Sequence, residues 1–374
     1  MSSRKAWLWL GLAMACGPDA GGGTGPGNTV PPRMLVGGDV SALERLDQAG
    51  AVYEDSGRPG DGLAILRARG ANTFRLRIFV NPNDSDVQVN DLAYTIRMAA
   101  RVKASGARLL LDFHYSDTWA DPGHQLTPVA WAGLSFDSLE SEVERYSADV
   151  IRQLDQAGSR PDVVQIGNEV ESGMLWPLGR VGGSFDTPSQ WEQFTRLLKA
   201  GIRGVRGGVP AGDSVRVMIH VSTGGNADAT RWFFDHLAAA GVSYDLIGLS
   251  YYPWWHGSMA GLVTNLRSTS LRYGTDVMVV ETAYPWRSGD WEGMVTDASA
   301  MVWPASRAGQ ASFLRALLAA VSSTPGGHGA GVLWWYPEAV AVPGVYVWAN
   351  GSLGLFDSAG AVLPAAAELG PYAN

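Results

Sequence analysis

From Met34 onward the chain alternates short apolar runs with longer amphipathic stretches. The short runs are rich in β-branched residues and predict strands, whereas the longer stretches repeat apolar residues with the spacing of a helix face. The eight predicted strands are Met34–Val40, Thr73–Phe79, Arg108–His114, Val163–Asn168, Val215–Val221, Leu246–Tyr251, Val277–Glu281 and Gly331–Trp335. The predicted helices between them include Asp91–Ser105, Ser138–Ala157, Ser189–Val205, Ala227–Ala240 and Gln310–Val321. This order predicts a parallel sheet built from βα units.

Eight βα units predict an α/β fold, a single (β/α)8 TIM barrel that occupies residues 33–374. The alternative is a doubly wound open sheet, which normally carries a glycine-rich phosphate loop after its first strand. Gly37-Gly38-Asp39 does not have that pattern. In a barrel, the carboxyl ends of all strands meet at one mouth, so we expect functional residues among the polar and aromatic side chains that end the predicted strands.

The first fifteen residues have the pattern of an export signal. Arg4 and Lys5 precede an apolar stretch, Ala6–Ala15, that is too short to span a bilayer. Ala13-Met14-Ala15 is a cleavage site of small residues. The sequence therefore predicts an exported protein, extracellular or held at the cell surface.

Cys16, the only cysteine, follows this site directly and resembles the lipidated cysteine of a bacterial lipoprotein signal. Leu12 stands one place further from it than usual, and plain signal-peptide cleavage is the alternative. Residues 16–32 consist of Gly, Pro and small polar residues, which predict a flexible tether. We expect membrane contact only through a lipid on Cys16.

Composition narrows the class of ligand. The net charge of −8 argues against nucleic acid, which binds basic surfaces. Fifteen Trp and twelve Tyr favour a carbohydrate cleft, because flat aromatic faces stack on sugar rings. The six histidines include no pair at i, i+4 spacing, which disfavours a metallohydrolase. We expect no cofactor and a monomer.

Glu169 and Glu281 each follow a strongly apolar predicted strand, the fourth and the seventh. A single glutamate there often only caps the next helix, but two that share one mouth match the paired carboxyl groups of a glycoside hydrolase. The nucleophile of such a pair must stay ionised and needs hydrogen-bond donors. Arg77 is the predicted donor to Glu281, with Tyr251 or Tyr252 as a second donor. Alternation along one strand does not show which tyrosine points inward.

Several longer stretches resemble glycoside hydrolase family 53, the endo-β-1,4-galactanases, within the clan of retaining (β/α)8 glycosidases. The stretches are GGDVS at 37–41, FRLRIFVNP at 74–82, LDFHYSDTWADP at 111–122, QIGNEVESGMLWP at 165–177, LSYYPW at 249–254 and VETAYP at 280–285. They extend over nearly the whole predicted barrel. The third and fourth are the most specific, because no general rule of folding requires such strings.

The resemblance implies that Glu169 is the proton donor and Glu281 the nucleophile. It implies that Asn168 binds the sugar 2-hydroxyl at the cleavage point, that Trp335 forms an apolar floor there, and that further aromatic residues such as Trp119, Trp176 and Trp254 stack along the cleft unless they belong to the core. The predicted substrate-binding residues are Asp39, Arg77, Asp112, His114, Asp117, Trp119, Asn168, His220, Tyr251, Tyr252 and Trp335. Asp117 and Asp121 fit loop capping equally well.

The sequence also departs from the family. Trp335-Tyr336-Pro337-Glu338 replaces the usual Trp-Glu-Pro. Some members bind calcium after the seventh strand, but Asp290, Glu292 and Asp297 do not form a recognisable oxygen cage, so we predict no required metal. The expected substrate is β-1,4-galactan, in arabinogalactan or pectic side chains. The alternatives are a related retaining glycanase acting on mannan or β-glucan, and a surface lipoprotein that binds glycan without cleaving it.

Overall fold

The structure is a computed structural model that describes residues 34–373. In this part of the chain, the barrel strands are β1 (Leu35–Asp39), β4 (Thr73–Ile78), β5 (Arg108–Phe113), β6 (Val163–Ile166), β7 (Arg216–Val221), β8 (Leu246–Ser250), β9 (Asp276–Glu281) and β10 (Gly329–Trp335), whereas β2 (Tyr53–Asp55) and β3 (Arg58–Gly60) form a separate hairpin. These eight parallel strands close into a barrel in the order β1-β10-β9-β8-β7-β6-β5-β4. The eight predicted strands and the (β/α)8 TIM barrel are confirmed.

Helices surround the barrel between its strands. They are α1 (Leu43–Gln48), α2 (Gly62–Ala68), α3 (Leu92–Ala104), α4 (Phe136–Gln156), α5 (Pro188–Gly208), α6 (Ala227–Ala239), α7 (Pro253–His256), α8 (Met259–Tyr273), α9 (Arg307–Ser322) and α10 (Gly370–Ala373). The five predicted helices are present as α3, α4, α5, α6 and α9. Polar N-caps such as Asp91, Ser135 and Thr187 bind the first backbone N–H groups and fix where α3, α4 and α5 begin. A hairpin of β2 (Tyr53–Asp55) and β3 (Arg58–Gly60) was not predicted.

Two apolar layers hold the barrel together. Side chains that alternate along the strands point either into the barrel or towards the helices. The inner layer contains Leu35, Leu110, Val163, Met218, Leu246, Met278, Val280 and Leu333. The outer layer joins the other strand faces to the helices in one large cluster. The inner apolar layer fills the lower part of the barrel. Inward-facing residues nearer the carboxyl ends of the strands, such as Arg75 and Asp112, lie above this layer and contact one another at the mouth.

An irregularity in β9 sets the direction of Glu281. Met278 and Val280 point into the barrel, and Val277 and Val279 pack against the helices, so strict alternation would turn Glu281 outward. The pairing between β8 and β9 shifts at this point, with Leu249 opposite Val279 but Ser250 opposite Glu281. The extra residue brings the Glu281 side chain to the barrel mouth, as expected for a β-bulge.

The predictions for the signal peptide at 1–15, Cys16 and the tether at 16–32 concern positions outside the described residues. Within residues 34–373, none of the helices has the length and apolar character needed to cross a membrane.

Candidate active site

Arg75 is the central cation of the barrel mouth. Its side chain is buried on β4, where Nη1 donates to Glu281 Oε1 at 2.7 Å and Nη2 donates to Asp112 Oδ2 at 2.7 Å and Asn168 Oδ1 at 2.8 Å. Asp39 Oδ2 lies 3.4 Å from Nη1. Burial alone would lower the pKa of Arg75, but the surrounding carboxylates outweigh it and raise that pKa. Arg75 therefore stays cationic and offers Glu281 a fixed donor.

The prediction that Arg77 is the donor to Glu281 is wrong. Arg77 also points inward, two residues further along β4, but its guanidinium contacts Asp39 Oδ1 at 3.3 Å and donates to the Val87 carbonyl at 3.0 Å. It lies under the Trp119 ring, 4.6 Å from the ring centroid, and 5.0 Å from that of Tyr336. Because Arg77 lies two residues further along β4 than Arg75, its guanidinium lies beyond Glu281 and contacts the Trp119 and Tyr336 rings.

Tyr252 is the second donor to Glu281. Its hydroxyl lies 3.3 Å from Glu281 Oε2. Tyr251, by contrast, is fully buried on the opposite face of the chain, where its hydroxyl donates to the Gly257 carbonyl at 2.9 Å. The alternation of side chains after β8 thus selects Tyr252, and the prediction that Tyr251 contacts substrate is corrected.

Glu169 reaches the mouth through an unusual backbone turn after β6. Glu169 itself is left-handed, with φ 47° and ψ 58°, and Gly167 has φ 77°. A Cβ at Gly167 would lie 2.5 Å from Val170 Cγ1, so only glycine fits there. A left-handed non-glycine residue costs about 1 to 3 kcal/mol and is found where a side chain must be aimed at a functional site. Here the turn aims the Glu169 carboxyl across the mouth.

The two glutamates have different surroundings. Burial, followed by the charges of Glu281 and Glu171, raises the pKa of Glu169 well above its ordinary value. Burial also raises the pKa of Glu281, but Arg75 opposes this rise and Tyr252 adds a hydrogen bond. The pKa of Glu169 is therefore raised further than that of Glu281, which burial raises to about 7, so Glu281 loses its proton first as pH increases.

Three predicted sugar-binding residues face the protein instead. Asp112 is fully buried and accepts from Arg75 and from Gln165 Nε2, the latter at 2.7 Å. His220 is also fully buried, with Nδ1 3.0 Å from Asn168 Oδ1 and Nε2 2.8 Å from Ser250 Oγ. Tyr251 is the third. Asp112 and His220 bind residues next to the glutamates, namely Arg75, Asn168 and Ser250. The prediction that they contact substrate directly is therefore corrected.

Asp39, His114 and Asn168 are also buried, and each contacts Arg75 or its partner Asp112. Asp39 joins Arg75 to Arg77. His114 Nδ1 lies 3.1 Å from Asp112 Oδ2, but neither ring nitrogen of His114 makes a hydrogen bond within residues 34–373. Asn168 Nδ2 donates to the Ala120 carbonyl at 2.8 Å, which leaves its second N–H for a ligand.

The two loop aspartates brace the backbone. Asp117 accepts from the backbone N–H groups of Asn81 and Val129, each at 2.9 Å. Asp121 accepts from the N–H of Gly123 at 2.7 Å and contacts His124 Nδ1 at 2.9 Å. For both residues, the loop-capping interpretation describes the contacts that the structure contains.

Two cavities lie next to residues that contact the glutamates or their neighbours. An aromatic cleft of about 270 Å³ is lined by Trp119, Trp335, Tyr336, Tyr346 and Trp348, with residues 86–88 at one wall. Trp335 places this cleft next to Arg75, whose guanidinium carbon is 5.6 Å from the ring centroid. A polar groove of about 710 Å³ is lined by Ser222, Thr223, Asn226, Asp228, Trp255, His256 and Thr264. Ser222 binds the Glu171 carboxylate, two residues from Glu169.

Two other tryptophans that the resemblance implied for the cleft differ in position. Trp254 is fully buried in the apolar core, so the stacking interpretation is corrected. Trp176 is partly exposed, but Arg180 covers its ring at 4.1 Å.

The structure gives no support to a metal site. Among the described residues, no group of three or more His, Cys, Asp or Glu side chains is placed to hold an ion. Asp297 accepts the N–H of Ser299 at 2.8 Å, and Asp290 and Glu292 belong to a short 3₁₀ helix, Asp290–Met294. The expectation that catalysis requires no metal stays a prediction.

Sequence reasoning missed the connecting residues of the site. Ser250 Oγ lies 2.6 Å from Glu169 Oε1, and Gln165 links Asp112 to Asn168. Both residues lie on the inward face of their strands, two positions from Gly248 and Val163, so strand alternation could have identified them. The aromatic residues beyond Trp335 had no such signal, because they follow the last strand in irregular chain.

A closed (β/α)8 barrel with two opposed glutamates in these environments defines a glycoside hydrolase. The family model described as "Glycosyl hydrolase family 53" matches residues 35–369. The chain therefore belongs to glycosyl hydrolase family 53, which confirms the resemblance found in the sequence.

Individual relatives and a solved structure are also similar to this chain. The chain is 42% identical over 325 residues to a Niallia circulans protein named "Uncharacterized protein in bgaB 5′region", covering 85% of this chain and 87% of that one. It is 36% identical to a "Probable arabinogalactan endo-beta-1,4-galactanase A" of Aspergillus terreus, covering 80% of this chain and 84% of the relative. The solved GH53 catalytic domain of Ignisphaera aggregans superposes with a TM-score of 0.82 at 35% identity, over 92% of this chain and 97% of that domain.

Proposed function

We propose that this enzyme is a retaining endo-β-1,4-galactanase that hydrolyses the galactan backbone of arabinogalactan or pectic side chains, with Glu169 as acid/base and Glu281 as nucleophile. The observation that carries the proposal is the unequal environment of the two glutamates. Glu281 receives donors from Arg75 and Tyr252, whereas Glu169 is half-buried near the carboxylates of Glu281, Glu171 and Asp121. Glycoside hydrolysis requires one protonated and one ionised carboxyl group, and the resemblance to the clan of retaining glycosidases favours the double displacement.

In the first step, Glu281 attacks the anomeric carbon while Glu169 gives its proton to the departing glycosidic oxygen. The bond from the anomeric carbon to the leaving oxygen breaks, and a bond to the Glu281 carboxylate forms. In the second step, water attacks the same carbon, Glu169 takes a proton from that water, and Glu281 is released. Arg75 and Tyr252 hold the Glu281 oxygens in place throughout both steps.

The two cavities support cleavage within a chain rather than at its end. A polysaccharide would extend from the aromatic cleft next to Trp335, across the glutamates, into the polar groove next to Ser222. Aromatic faces in the cleft suit stacking on sugar rings, and hydroxyl and amide groups in the groove suit hydrogen bonds to sugar hydroxyls. The galactan backbone is proposed because relatives such as that of Aspergillus terreus carry the name arabinogalactan endo-β-1,4-galactanase.

The test is a reducing-sugar assay on purified β-1,4-galactan, mannan and β-glucan in parallel, with product anomers followed by NMR. We expect rapid release of β-configured ends from galactan alone, and loss of this activity in Glu169→Gln and Glu281→Gln. Preferential cleavage of mannan or β-glucan would contradict the substrate, and inverted anomers would contradict the mechanism. Full binding of galactan without cleavage by the wild type would favour the non-catalytic alternative.

We also propose that the protein is exported and anchored by a lipid on Cys16. We propose separately that it is a monomer. The support for export and anchoring is the sequence pattern of residues 1–16. Growth of an expressing bacterium with a radiolabelled fatty acid should label the wild type, whereas Cys16→Ser should be exported without label. An unlabelled wild type would indicate plain signal-peptide cleavage. Light scattering of the released domain tests the monomer.

A further inference from the structure

The side-chain amide of Gln125 lies against the backbone of the turn that carries Glu169. Gln125 is buried in the loop after β5, and its Nε2 lies 3.0 Å from the Asp121 carbonyl oxygen. The same nitrogen lies 2.7 Å from the carbonyl oxygen of Asn168 and 3.2 Å from that of Glu169. Carbonyl oxygens only accept hydrogen bonds, so the NH₂ group of the amide must face all three of them. The direction of these hydrogen bonds is therefore defined.

Two of these carbonyls belong to the turn in which the chain leaves β6. In an extended strand, successive carbonyls point to opposite sides, but those of Asn168 and Glu169 converge on one nitrogen. The left-handed backbone of Glu169, with φ 47° and ψ 58°, is consistent with this convergence. A left-handed residue other than glycine is strained and persists only where the surrounding contacts hold it. Gln125 supplies such contacts, because it binds the carbonyls on both sides of the Glu169 Cα.

The loop that carries Gln125 is itself tied to the chain after β6. Ser172 Oγ donates to the Pro122 carbonyl at 2.6 Å. Further along, the Trp176 N–H donates to the Gln125 carbonyl at 2.7 Å, and Thr127 Oγ1 donates to the Trp176 carbonyl at 2.8 Å. These contacts fix the backbone of Gln125, so its amide is held in place against the turn.

We propose that Gln125 is a positioning residue that holds the strained turn and so aims the Glu169 carboxyl at the glycosidic oxygen. An acid must lie within hydrogen-bond reach of the oxygen that it protonates. Relaxation of the turn towards extended backbone would change the direction of the Glu169 Cα–Cβ bond and move the carboxyl away from that position. The donors to Glu281 are Arg75 and Tyr252, so Gln125 serves the acid rather than the nucleophile. This inference rests on the proposed role of Glu169 as acid/base.

The choice of leaving group separates this role from a general effect on the structure. The sugar oxygen that departs from galactan is a poor leaving group and needs the proton of Glu169, whereas a dinitrophenolate is stable without one. Attack by Glu281 is required for both substrates. Misplacement of the acid alone should therefore slow cleavage of galactan and spare a dinitrophenyl galactoside, while distortion of the whole mouth would slow both.

The test compares kcat/KM of the wild type and Gln125→Met on galactan and on a dinitrophenyl β-1,4-galactobioside. Methionine is flexible enough to fill the same space but has no N–H donor. The ratio kcat/KM reports the first bond cleavage, so the later hydrolysis of the glycosyl-enzyme does not obscure the comparison. We expect the value for galactan to fall about 100-fold, as for a catalytic group displaced by ~1 Å, and the value for the aryl substrate to stay within about fivefold.

Thr127→Val is the matched control. It removes the tie to the Trp176 carbonyl between the same two segments but leaves the contacts of the Gln125 amide in place. Both kcat/KM values should stay within about twofold of the wild type. Equal losses on the two substrates in Gln125→Met, or no loss on galactan, would overturn the proposal. If Gln125→Met is not folded by circular dichroism, Gln125→Glu is measured in the same way, because an ionised carboxylate keeps the length of the side chain but has no donor.

Glu169→Gln on the same two substrates tests the role on which the inference rests. It should lose activity on galactan and keep most of its kcat/KM on the aryl substrate. This difference in Glu169→Gln without one in Gln125→Met would contradict the role of Gln125 alone. Equal losses on both substrates in Glu169→Gln would contradict Glu169 as the acid, and with it the proposed function.

Discussion

The guanidinium of Arg75 donates a hydrogen bond of 2.7 Å to Glu281, although Arg77 lies nearer the end of the same strand. Both arginines point into the barrel, but they serve different parts of the mouth. Arg75 joins the carboxylates of Asp39, Asp112 and Glu281. Arg77 packs against the rings that form the aromatic cleft. On β4, Arg75 thus serves the carboxylates of the site, and Arg77 serves its aromatic cleft.

This separation predicts different defects for Arg75→Lys and Arg77→Lys. A lysine at 75 keeps the charge but loses the planar fork that reaches Glu281 and Asn168 together. We expect kcat/KM on galactan to fall about 100-fold or more, in the range found when a preorganised donor is removed. The acid limb of the pH profile should move to higher pH, because Glu281 loses part of its stabilisation.

Arg77→Lys is the matched control on the same strand face. It should mainly raise KM, since its contacts are with Asp39 and the cleft aromatics. Steady-state kinetics and thermal denaturation of both variants check the comparison. A larger loss of kcat in Arg77→Lys than in Arg75→Lys would show that the assignment of the two arginines is reversed.

The adjacent tyrosines give a second matched pair. Tyr252→Phe removes the hydroxyl that reaches Glu281, and a hydrogen bond to a charged group is worth about 1.5 to 3 kcal/mol, so kcat/KM should fall about 10- to 100-fold. Tyr251→Phe removes a bond to the Gly257 carbonyl and should change the melting temperature while kcat/KM stays within about twofold. Equal kinetic losses in the two variants would argue against a direct role for Tyr252.

The barrel could be predicted from the sequence because each strand is a short apolar run between amphipathic helices. Every such run needs burial on two faces, and eight in succession are satisfied by closure. The positions of Glu169 and Glu281 at the ends of two runs were likewise visible. Local pattern was sufficient for these features because strand and helix periods are properties of neighbouring residues.

The details of the site depend on contacts between distant residues. The choice between Arg75 and Arg77 depends on how far Glu281 extends inward, which is set by the β8–β9 register shift. The direction of Glu169 depends on a left-handed turn that propensity does not favour. His220 and Asp112 end strands as substrate contacts would, but they are buried by neighbouring strands. None of these outcomes has a local signature in the chain.

The pH dependence of kcat/KM should be bell-shaped. Glu281 acts ionised, so activity should fall as pH decreases through its pKa, which burial raises above the ordinary 4.5 despite the opposing Arg75. Glu169 acts protonated, so activity should fall again as pH increases through its own raised pKa. Initial rates at low galactan concentration across pH 3 to 10 test both limbs, and full activity maintained below pH 4.5 would contradict the raised pKa of Glu281.

The aromatic cleft should control substrate affinity. Trp119→Ala removes one wall of the cleft and the ring above Arg77. An aromatic contact contributes about 0.5 to 1.5 kcal/mol, so KM for galactan should rise about 2- to 10-fold with a smaller change in kcat. Trp232→Ala, on α6 against Trp191, is the control and should leave KM unchanged. An unchanged KM in Trp119→Ala would place the substrate elsewhere.

Glu169 should also destabilise the fold above acidic pH. Glu169 has a higher pKa in the folded protein than in the unfolded chain, where an exposed glutamate titrates near 4.5. Between these two pKa values the folded state binds more protons, so the free energy of unfolding falls as pH rises. Glu169→Gln removes this penalty, because an amide does not ionise. We expect a melting temperature above that of the wild type at pH 7, by about 2 °C or more, and no difference at pH 4.

Differential scanning calorimetry at both pH values measures this effect. Glu292→Gln, which changes an exposed glutamate outside the mouth, should leave the melting temperature unchanged at either pH. The comparison separates burial of a carboxyl group from loss of a surface charge. A Glu169→Gln protein less stable than the wild type at pH 7 would mean that the ionised carboxylate stabilises the fold. Glu169 would then be a structural anion, and neither its raised pKa nor its role as the resting acid could be maintained.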